Sequence, residues 1–300
     1  MTVPRCKTLV IDGKNLTVRS FFAYPGTLSA DGHTTNLLHG SFLELFKHVK
    51  MFQPATTIVT WDSKSVFRRV IHAGYKAGKR GTMSDVQFAS FTVQQKIFEE
   101  GLTALGVCQM KVEGVEGDDL VALMVIIPEN RPAVIISTDR DFWQLVRGDQ
   151  VTIYDPRKKM LLAGSSFSMA TGFDSPEHHL AFKVIKGDKG DGVPPAVIRM
   201  GEKKAIEAAR HLKLMRADEL VTRDPGGWLA VEFEGFDAAL IVRNFKLISL
   251  HAAVMYQLPQ LVHLRDAIPP KPNWKRFLTF CQKYKLEMVA KAYGEVDRLI

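Results

Sequence analysis

The chain has 300 residues, 46% of them hydrophobic, enough for one large core or two modest ones. Its 40 Lys and Arg against 32 Asp and Glu give a formal net charge of +8, a balance that favours polyanionic partners. The start, MTVPRCKTLVIDG, has no signal-like apolar stretch, no run approaches a membrane span, and Cys6, Cys108 and Cys281 are scattered, so the expectation is a reducing cytoplasm without disulfides or structural zinc.

Thr8 to Ile11 (TLVI) reads as a short strand ending at Asp12-Gly13. A helix is expected from about Thr35 to Phe52, where Leu37, Leu38, Phe42, Leu45, Phe46 and Val49 recur near a period of 3.6. Beyond Pro54, Thr56 to Trp61 (TTIVTW) forms a second strand that ends at Asp62. The next stretch, Lys64 to Ser84, carries Lys64, Arg68, Arg69, Lys76, Lys79 and Arg80 and no acid, with Phe67 and Tyr75 interleaved. It reads either as a solvated basic helix face or as a pliable contact for nucleic-acid phosphates and bases beside Asp62. Its cations can also neutralise a reacting phosphate. Gln87 to Leu105 is expected to pack back on the body as a helix.

GVEGDDL, residues 114–120, places Glu116, Asp118 and Asp119 ahead of an apolar run, Leu120 to Ile127. Carboxylates suit a helix N-terminus simply as capping groups. Three crowded together also repel, which a divalent cation relieves. Ala133 to Thr138 (AVIIST) makes a third strand, ending at Asp139 with Asp141 two residues on. Val151 to Leu162 reads as a hairpin turned at Asp155-Pro156-Arg157, and a soft domain boundary falls near Phe167 to Phe173. His178-His179 reads as a helix start and not as a zinc pair. KGDKGDG, Lys186 to Gly192, supplies Asp188 and Asp191 among flexible glycines. After Pro194-Pro195 a loop runs into a helix, where Gly201, Lys203 and Lys204 can hold a DNA phosphate. Another helix is expected over 236–250. A terminal one runs from Trp274 to Ala292, with Phe277, Phe280, Tyr284 and Met288 facing the core.

The strands are short, β-branched and nearly all apolar, as in a parallel sheet covered on both faces, and the intervening helices make the class α/β. Open α/β sheets bind ligands beyond the carboxyl ends of their strands. Three strands ending in Asp converge on that edge, and GVEGDDL can reach it. The candidate metal-holding acids are Asp12, Asp62, Glu116, Asp118, Asp119, Asp139, Asp141, Asp188 and Asp191. Such an all-oxygen set suits Mg²⁺ or Mn²⁺. Two such ions activate water and stabilise a leaving oxygen in phosphodiester hydrolysis. There is no GxxxxGK[ST] phosphate loop, and Asp12 is followed by Gly13-Lys14 where an aspartyl-phosphate enzyme prefers a second Asp two residues on.

The succession VIDG, TWDSKSVFRR…YKAGKR, EGDDL, STDRDFWQL and KGDKGDGVP, from about Thr8 to Leu250, resembles the 5′→3′ exonuclease and flap endonuclease family. Bacteriophage 5′-nucleases and the nuclease domain of bacterial DNA polymerase I are its nearest likenesses. The resemblance implies a PIN-like sheet with a helical arch (about 64–90) over 1–170, and a helical DNA-binding region with a helix–three-turn–helix element (about 186–212) over 171–300. It implies two or more Mg²⁺ ions, one group held or oriented by Asp12, Asp62, Glu116, Asp118 and Asp119, the other by Asp139, Asp141, Asp188 and Asp191. Lys76 and Arg80 match catalytic arch positions. Lys64, Arg68, Arg69, Tyr75, Lys79, Gly201, Lys203 and Lys204 fall in nucleic-acid-binding segments. The expected partner is DNA with 5′ ends, flaps or nicks, and also RNA primers. The expected state is a cytoplasmic monomer, in a bacterial host if phage-encoded. Where the family has two glycines, this chain reads Arg199-Met200-Gly201, which puts a K⁺ site there in doubt. A PIN-like single-strand ribonuclease and an inactive DNA-end-binding protein are the alternative readings.

Overall fold

The computed structural model describes residues 5–24, 29–30, 33–78, 81, 83–211, 237–266 and 271–296. The first strand, β1 (Thr8–Asp12), leads straight into helix α1 (Gly13–Ala23), whose N-cap is Asp12 itself. A small ribbon, β2 (Ser29–Ala30) and β3 (His33–Thr34), precedes the long helix α2 (Asn36–Phe52). Then come β4 (Thr56–Thr60), a short helix α3 (Phe67–Ile71), the long helix α4 (Asp85–Leu105) and β5 (Cys108–Met110). Helix α5 (Gly117–Ile126), β6 (Ala133–Ile136) and the hairpin β7 (Val151–Asp155) and β8 (Met160–Leu162) complete the sheet. Helix α6 (Phe167–Thr171) follows, then α7 (Pro176–Lys186) and α8 (Glu202–His211).

The sheet order is β5-β4-β1-β6-β7-β8, parallel throughout except for β8. Alternation along the central strands feeds two separate cores. Leu9, Ile11, Val59, Val134 and Ile136 face α2, α4 and the C-terminal helices. Val10, Ile58, Ala133 and Ile135 face α5 and residues Leu250, Val254 and Leu261. Each large apolar side chain so buried contributes roughly 1.5–3 kcal/mol. This is the two-faced burial expected of strands that are apolar at nearly every position.

The expected strand Thr56 to Trp61 ends at Thr60, although the Trp61 N–H still donates to the Met110 carbonyl at 2.8 Å while its buried ring donates the indole N–H to Gln109 at 3.0 Å. The expected helix over 236–250 is Ala238–Ile248, and a further helix that was not expected, Leu250–Leu261, follows it across a break at Ser249. Ser249 is extended, and its hydroxyl accepts from the Ala252 N–H as an N-cap. The expected terminal helix is split into Trp274–Lys283 and Glu287–Tyr293. Lys285 there is left-handed (φ 53°). The break swings Leu286 into the core and leaves Met288 64% exposed, so Met288 is not the core residue its spacing implied. The hairpin turns as expected, with Asp155 accepting from the Arg157 and Lys158 N–H groups. No single helix among the described residues is long and apolar enough to cross a membrane.

Candidate active site

Parallel strands put their carboxyl ends on one edge, and β1, β4 and β6 deliver Asp12, Asp62 and Asp139 to it. Asp12 Oδ1 accepts from the Asn15 N–H at 2.9 Å and Oδ2 from the Ser137 hydroxyl at 2.9 Å. Asp62 Oδ1 accepts from the Gly117 N–H at 2.8 Å, and Lys14 Nζ reaches Oδ2 at 2.7 Å. Glycine at 117 eases this approach, since a Cβ there would stand 3.0 Å from Asp62 Oδ1 and 3.3 Å from the Asp62 backbone nitrogen. The start of α5 therefore docks on the end of β4. Glu116 is the N-cap residue of α5, with Asp118 and Asp119 in its first turn. Burial pushes the Asp12 carboxyl up to about 6, and the charges of Asp62 and Asp139 add to this. Burial also raises Asp118 well above the carboxylate range, reinforced by Asp12, Asp62 and Asp139. Asp62 is buried too, but Lys14 and the Gly117 N–H hold it below the usual value.

Behind this wall lies Arg68, 2% exposed. Its guanidinium donates to both Asp119 oxygens at 2.8 and 2.7 Å, to Glu116 Oε2 at 2.7 Å and, through Nε, to the Leu247 carbonyl at 2.8 Å. The Gln257 amide completes Asp119 at 2.9 Å. Glu116 also accepts from the Tyr75 hydroxyl at 2.9 Å and from Lys76 Nζ at 2.5 Å. Lys76 is itself left-handed (φ 51°), and its N–H donates to the Asp191 carbonyl at 2.8 Å. The Gly74–Lys76 turn and the KGDKGDG loop are thus tied backbone to backbone. Gly192 (φ 72°) is required at this seam, where a Cβ would lie 2.5 Å from the Gly74 carbonyl oxygen.

The loop after α7 brings in the remaining acids. Asp188 Oδ1 accepts from the Asp191 N–H at 3.1 Å, and an isolated bridge closes the loop between Asp188 and Val193. Lys183 Nζ bonds both Asp141 and Asp188. Burial raises the Asp141 carboxyl in spite of Lys183, whereas Lys183 keeps Asp188 low against its own burial. One cleft is lined by Arg68, Tyr75, Glu116, Asp118, Asp141, Asp188 and Asp191, so acids from α5, the turn after β6 and the loop after α7 meet there.

Several expectations need correction. Arg68 is buried in an ion-pair network and cannot meet a nucleic-acid phosphate. Tyr75 is 4% exposed with its hydroxyl committed to Glu116, so it is not an open base contact. Asp119 is fully buried and saturated by Arg68 and Gln257, which makes it an orienting group and not a direct metal ligand. Glu116 is engaged by Arg68, Tyr75 and Lys76. Among the described residues no three His, Cys, Asp or Glu side chains converge into a ready-made metal cage. Lys64, Arg69, Gly201, Lys203 and Lys204 are exposed, the last two in the first turn of α8. Lys79 and Arg80 lie outside the described residues. At the loop considered for K⁺, Lys186 Nζ donates to the Met200 carbonyl at 3.1 Å, and Arg199 keeps a left-handed backbone (φ 62°).

Sequence reasoning missed Lys14, Lys183 and Gln257. Lys14 directly follows Asp12-Gly13, which was a usable signal; Lys183 and Gln257 reach their partners across the fold, and no local pattern marks them. The donor chemistry of Asp12, Asp118 and Asp139 suits a hard divalent cation, although the three do not form a ready-made cage. These are oxygen donors, two of them are pushed towards protonation by burial and mutual charge, and no described Lys or Arg side chain bridges any of the three.

A mostly parallel sheet with carboxylates gathered beyond its carboxyl edge defines an α/β fold of the PIN-like nuclease kind. The family model "5′-3′ exonuclease, N-terminal resolvase-like domain" matches residues 7–171, and the chain belongs to that family. A thermostable DNA polymerase I of Thermus caldophilus is 30% identical over 211 residues, 69% of this chain but 24% of the polymerase. The chain thus spans about a quarter of the length of the curated relatives it matches. Among solved structures, a flap endonuclease of bacteriophage T5 in complex with DNA and metal ions is 19% identical with a TM-score of 0.63, covering 95% of this chain and 99% of that one. Human GEN1 in complex with Holliday junction DNA is 13% identical with a TM-score of 0.54, covering 98% of this chain and 71% of that one.

Proposed function

We propose that the protein is a structure-specific 5′→3′ exonuclease and flap endonuclease that hydrolyses phosphodiester bonds near DNA 5′ ends, with Mg²⁺ as its usual cation. The observation that carries this reading is the single cleft in which Asp118, Asp141, Asp188 and Asp191 meet the turn bearing Lys76. When bound, the divalent cations supply a nucleophilic water near neutral pH and charge for the leaving oxygen. Asp12, Asp62, Asp118 and Asp139 would hold one, and Asp141, Asp188 and Asp191 the other. Glu116 and Asp119 act behind them, fixed by Arg68.

Lys76 is 29% exposed and held by Glu116, so its ammonium stands at the cleft with a defined direction. There it neutralises charge growing on the phosphate oxygens. Arg80 takes a parallel part in this reading. Exposed Lys64 and Arg69, with Lys79, draw the single-stranded 5′ end through its phosphates, while Gly201, Lys203 and Lys204 at the start of α8 grip the duplex. Removal of RNA primers and DNA flaps in replication is the corresponding role.

A panel of 5′-labelled and 3′-labelled flap, nicked, blunt and single-stranded substrates, run with Mg²⁺, tests the proposal. Short 5′-derived products, favoured by flaps and nicks and abolished by chelator, are expected. Products released from 3′ ends, or full activity in excess chelator, would overturn it.

A further inference from the structure

The two groups of acids differ in how their charge is met. Asp12 is satisfied by Asn15 and Ser137, and Asp139 accepts from the Asp141 N–H at 2.8 Å. Neither they nor Asp118 form an ion pair among the described residues, and Asp62, the fourth acid of this group, pairs with Lys14, whose side chain is 65% exposed. The second group is neutralised by a cation drawn into the fold. Lys183, in the last turn of α7, is 14% exposed and places its Nζ between Asp141 and Asp188, 2.9 Å from Asp188 Oδ2 and in direct contact with Asp141. Asp191 has Lys76 Nζ at 3.7 Å and the Tyr75 hydroxyl at 3.4 Å.

Asp141 and Asp188 belong to segments far apart in sequence, and the ammonium is what joins their carboxylates. A lysine ammonium and a divalent cation need the same oxygens. An ammonium this far from solvent is weakly screened, so its release is not free.

We propose that Lys183 is the resident counter-ion of the second carboxylate group, and that a divalent cation enters there only by displacing its ammonium from Asp141 and Asp188. The inference rests on the metal reading above. Its consequence is a pair of unequal cation sites: the group around Asp12, Asp62, Asp118 and Asp139 has only the solvent-screened Lys14 to displace, while the group around Asp141 and Asp188 loads against a buried competitor. Lys183 keeps its charge on release, so loading the second site alters the local balance by more than a simple exchange of one cation for another. This lysine sets the cation concentration at which the second site fills, independently of any DNA.

Mn²⁺ binding to the full chain without DNA, read by the electron paramagnetic resonance of free Mn²⁺, tests this. The wild type is expected to show a tighter and a weaker class. Lys183→Met, which keeps the length and loses the charge, is expected to tighten the weaker class by about tenfold and leave the tighter one within about threefold. Two equal classes in the wild type, or no tightening in the variant, would overturn the inference. No Mn²⁺ binding at all would instead overturn the metal reading beneath it. A second measurement needs no variant: amine acetylation followed by peptide mass spectrometry. Lys183 should react slowly without divalent cation and faster as Mg²⁺ saturates, and a Lys183 reactivity indifferent to saturating Mg²⁺ counts against displacement.

Discussion

Arg68 holds the acid wall from behind, and its removal has a size that can be worked out. Arg68→Met deletes a guanidinium that donates to Asp119 at 2.7 and 2.8 Å, to Glu116 at 2.7 Å and to the Leu247 carbonyl at 2.8 Å. Glu116 retains Tyr75 and Lys76, but Asp119, with no exposed surface, is left with only the Gln257 amide. Breaking a buried pair from one side costs about 3–5 kcal/mol. That is a large part of the roughly 5–15 kcal/mol that keeps a domain folded. Equilibrium urea unfolding followed by tryptophan fluorescence gives the loss. Adding Asp119→Leu removes the stranded carboxylate, so the double variant should recover about 2 kcal/mol or more of it. Arg68→Lys keeps the charge without the planar fork and should fall between wild type and Arg68→Met. A loss below about 1 kcal/mol for Arg68→Met, or a double variant no more stable than the single one, would refute the picture of Arg68 as the cation that makes Asp119 tolerable.

Three further outcomes are expected. Gly192→Ala, at φ 72° and with its Cβ 2.5 Å from the Gly74 carbonyl oxygen, should lower stability by about 1–3 kcal/mol and slow cleavage; an unchanged melting temperature would show that the seam yields freely. Lys76→Ala should slow single-turnover cleavage by about 100-fold or more while DNA affinity shifts far less, and an effect on affinity alone would make Lys76 a mere phosphate contact. Burial pushes His48 down from 6.5 to about 3, so the unfolded chain takes up the proton first. The contribution of His48 to stability is then fully present above 6.5 and falls by about 1.4 kcal/mol per pH unit as pH drops from there towards 3, alongside a like contribution from buried His179. His48→Gln should flatten this slope in unfolding measured from pH 7 down to pH 4, and a slope unchanged in that variant would rule His48 out as its source.

The α/β class, the parallel sheet and the acid edge were legible because each rests on local pattern. A strand apolar at every position has to be covered twice, and an Asp at the end of each of three strands has few other places to go. GVEGDDL was legible only in part. Its spacing placed the carboxylates at a helix start, but no local rule distinguishes Asp118, which faces the other strand-end acids, from Asp119, which faces Arg68. That distinction is made by Leu247 and Gln257, more than 120 residues away in sequence. The same limit hid Lys183, and it made the basic run look uniformly available when Arg68 and Tyr75 within it are core. The helix break at Lys285 was missed because the apolar period continues through it while a left-handed residue redirects the chain, and the helix Leu250–Leu261 beyond the Ser249 cap was not expected.

The buried side of the sheet bears on how such chains can be cut and recombined. The family match stops at residue 171, which invites treating the segment before it as a portable module. Yet Leu250, Val254 and Leu261 fill the same core as Val10, Ile135 and Val125, and the Gln144 side chain bonds both the Ile248 carbonyl and the Leu250 N–H. A truncation or graft made at residue 171 would open that core to water and leave Asp119 without Gln257. Any functional transplant of the acid edge therefore has to carry the Ala238–Ile248 and Leu250–Leu261 helices with it.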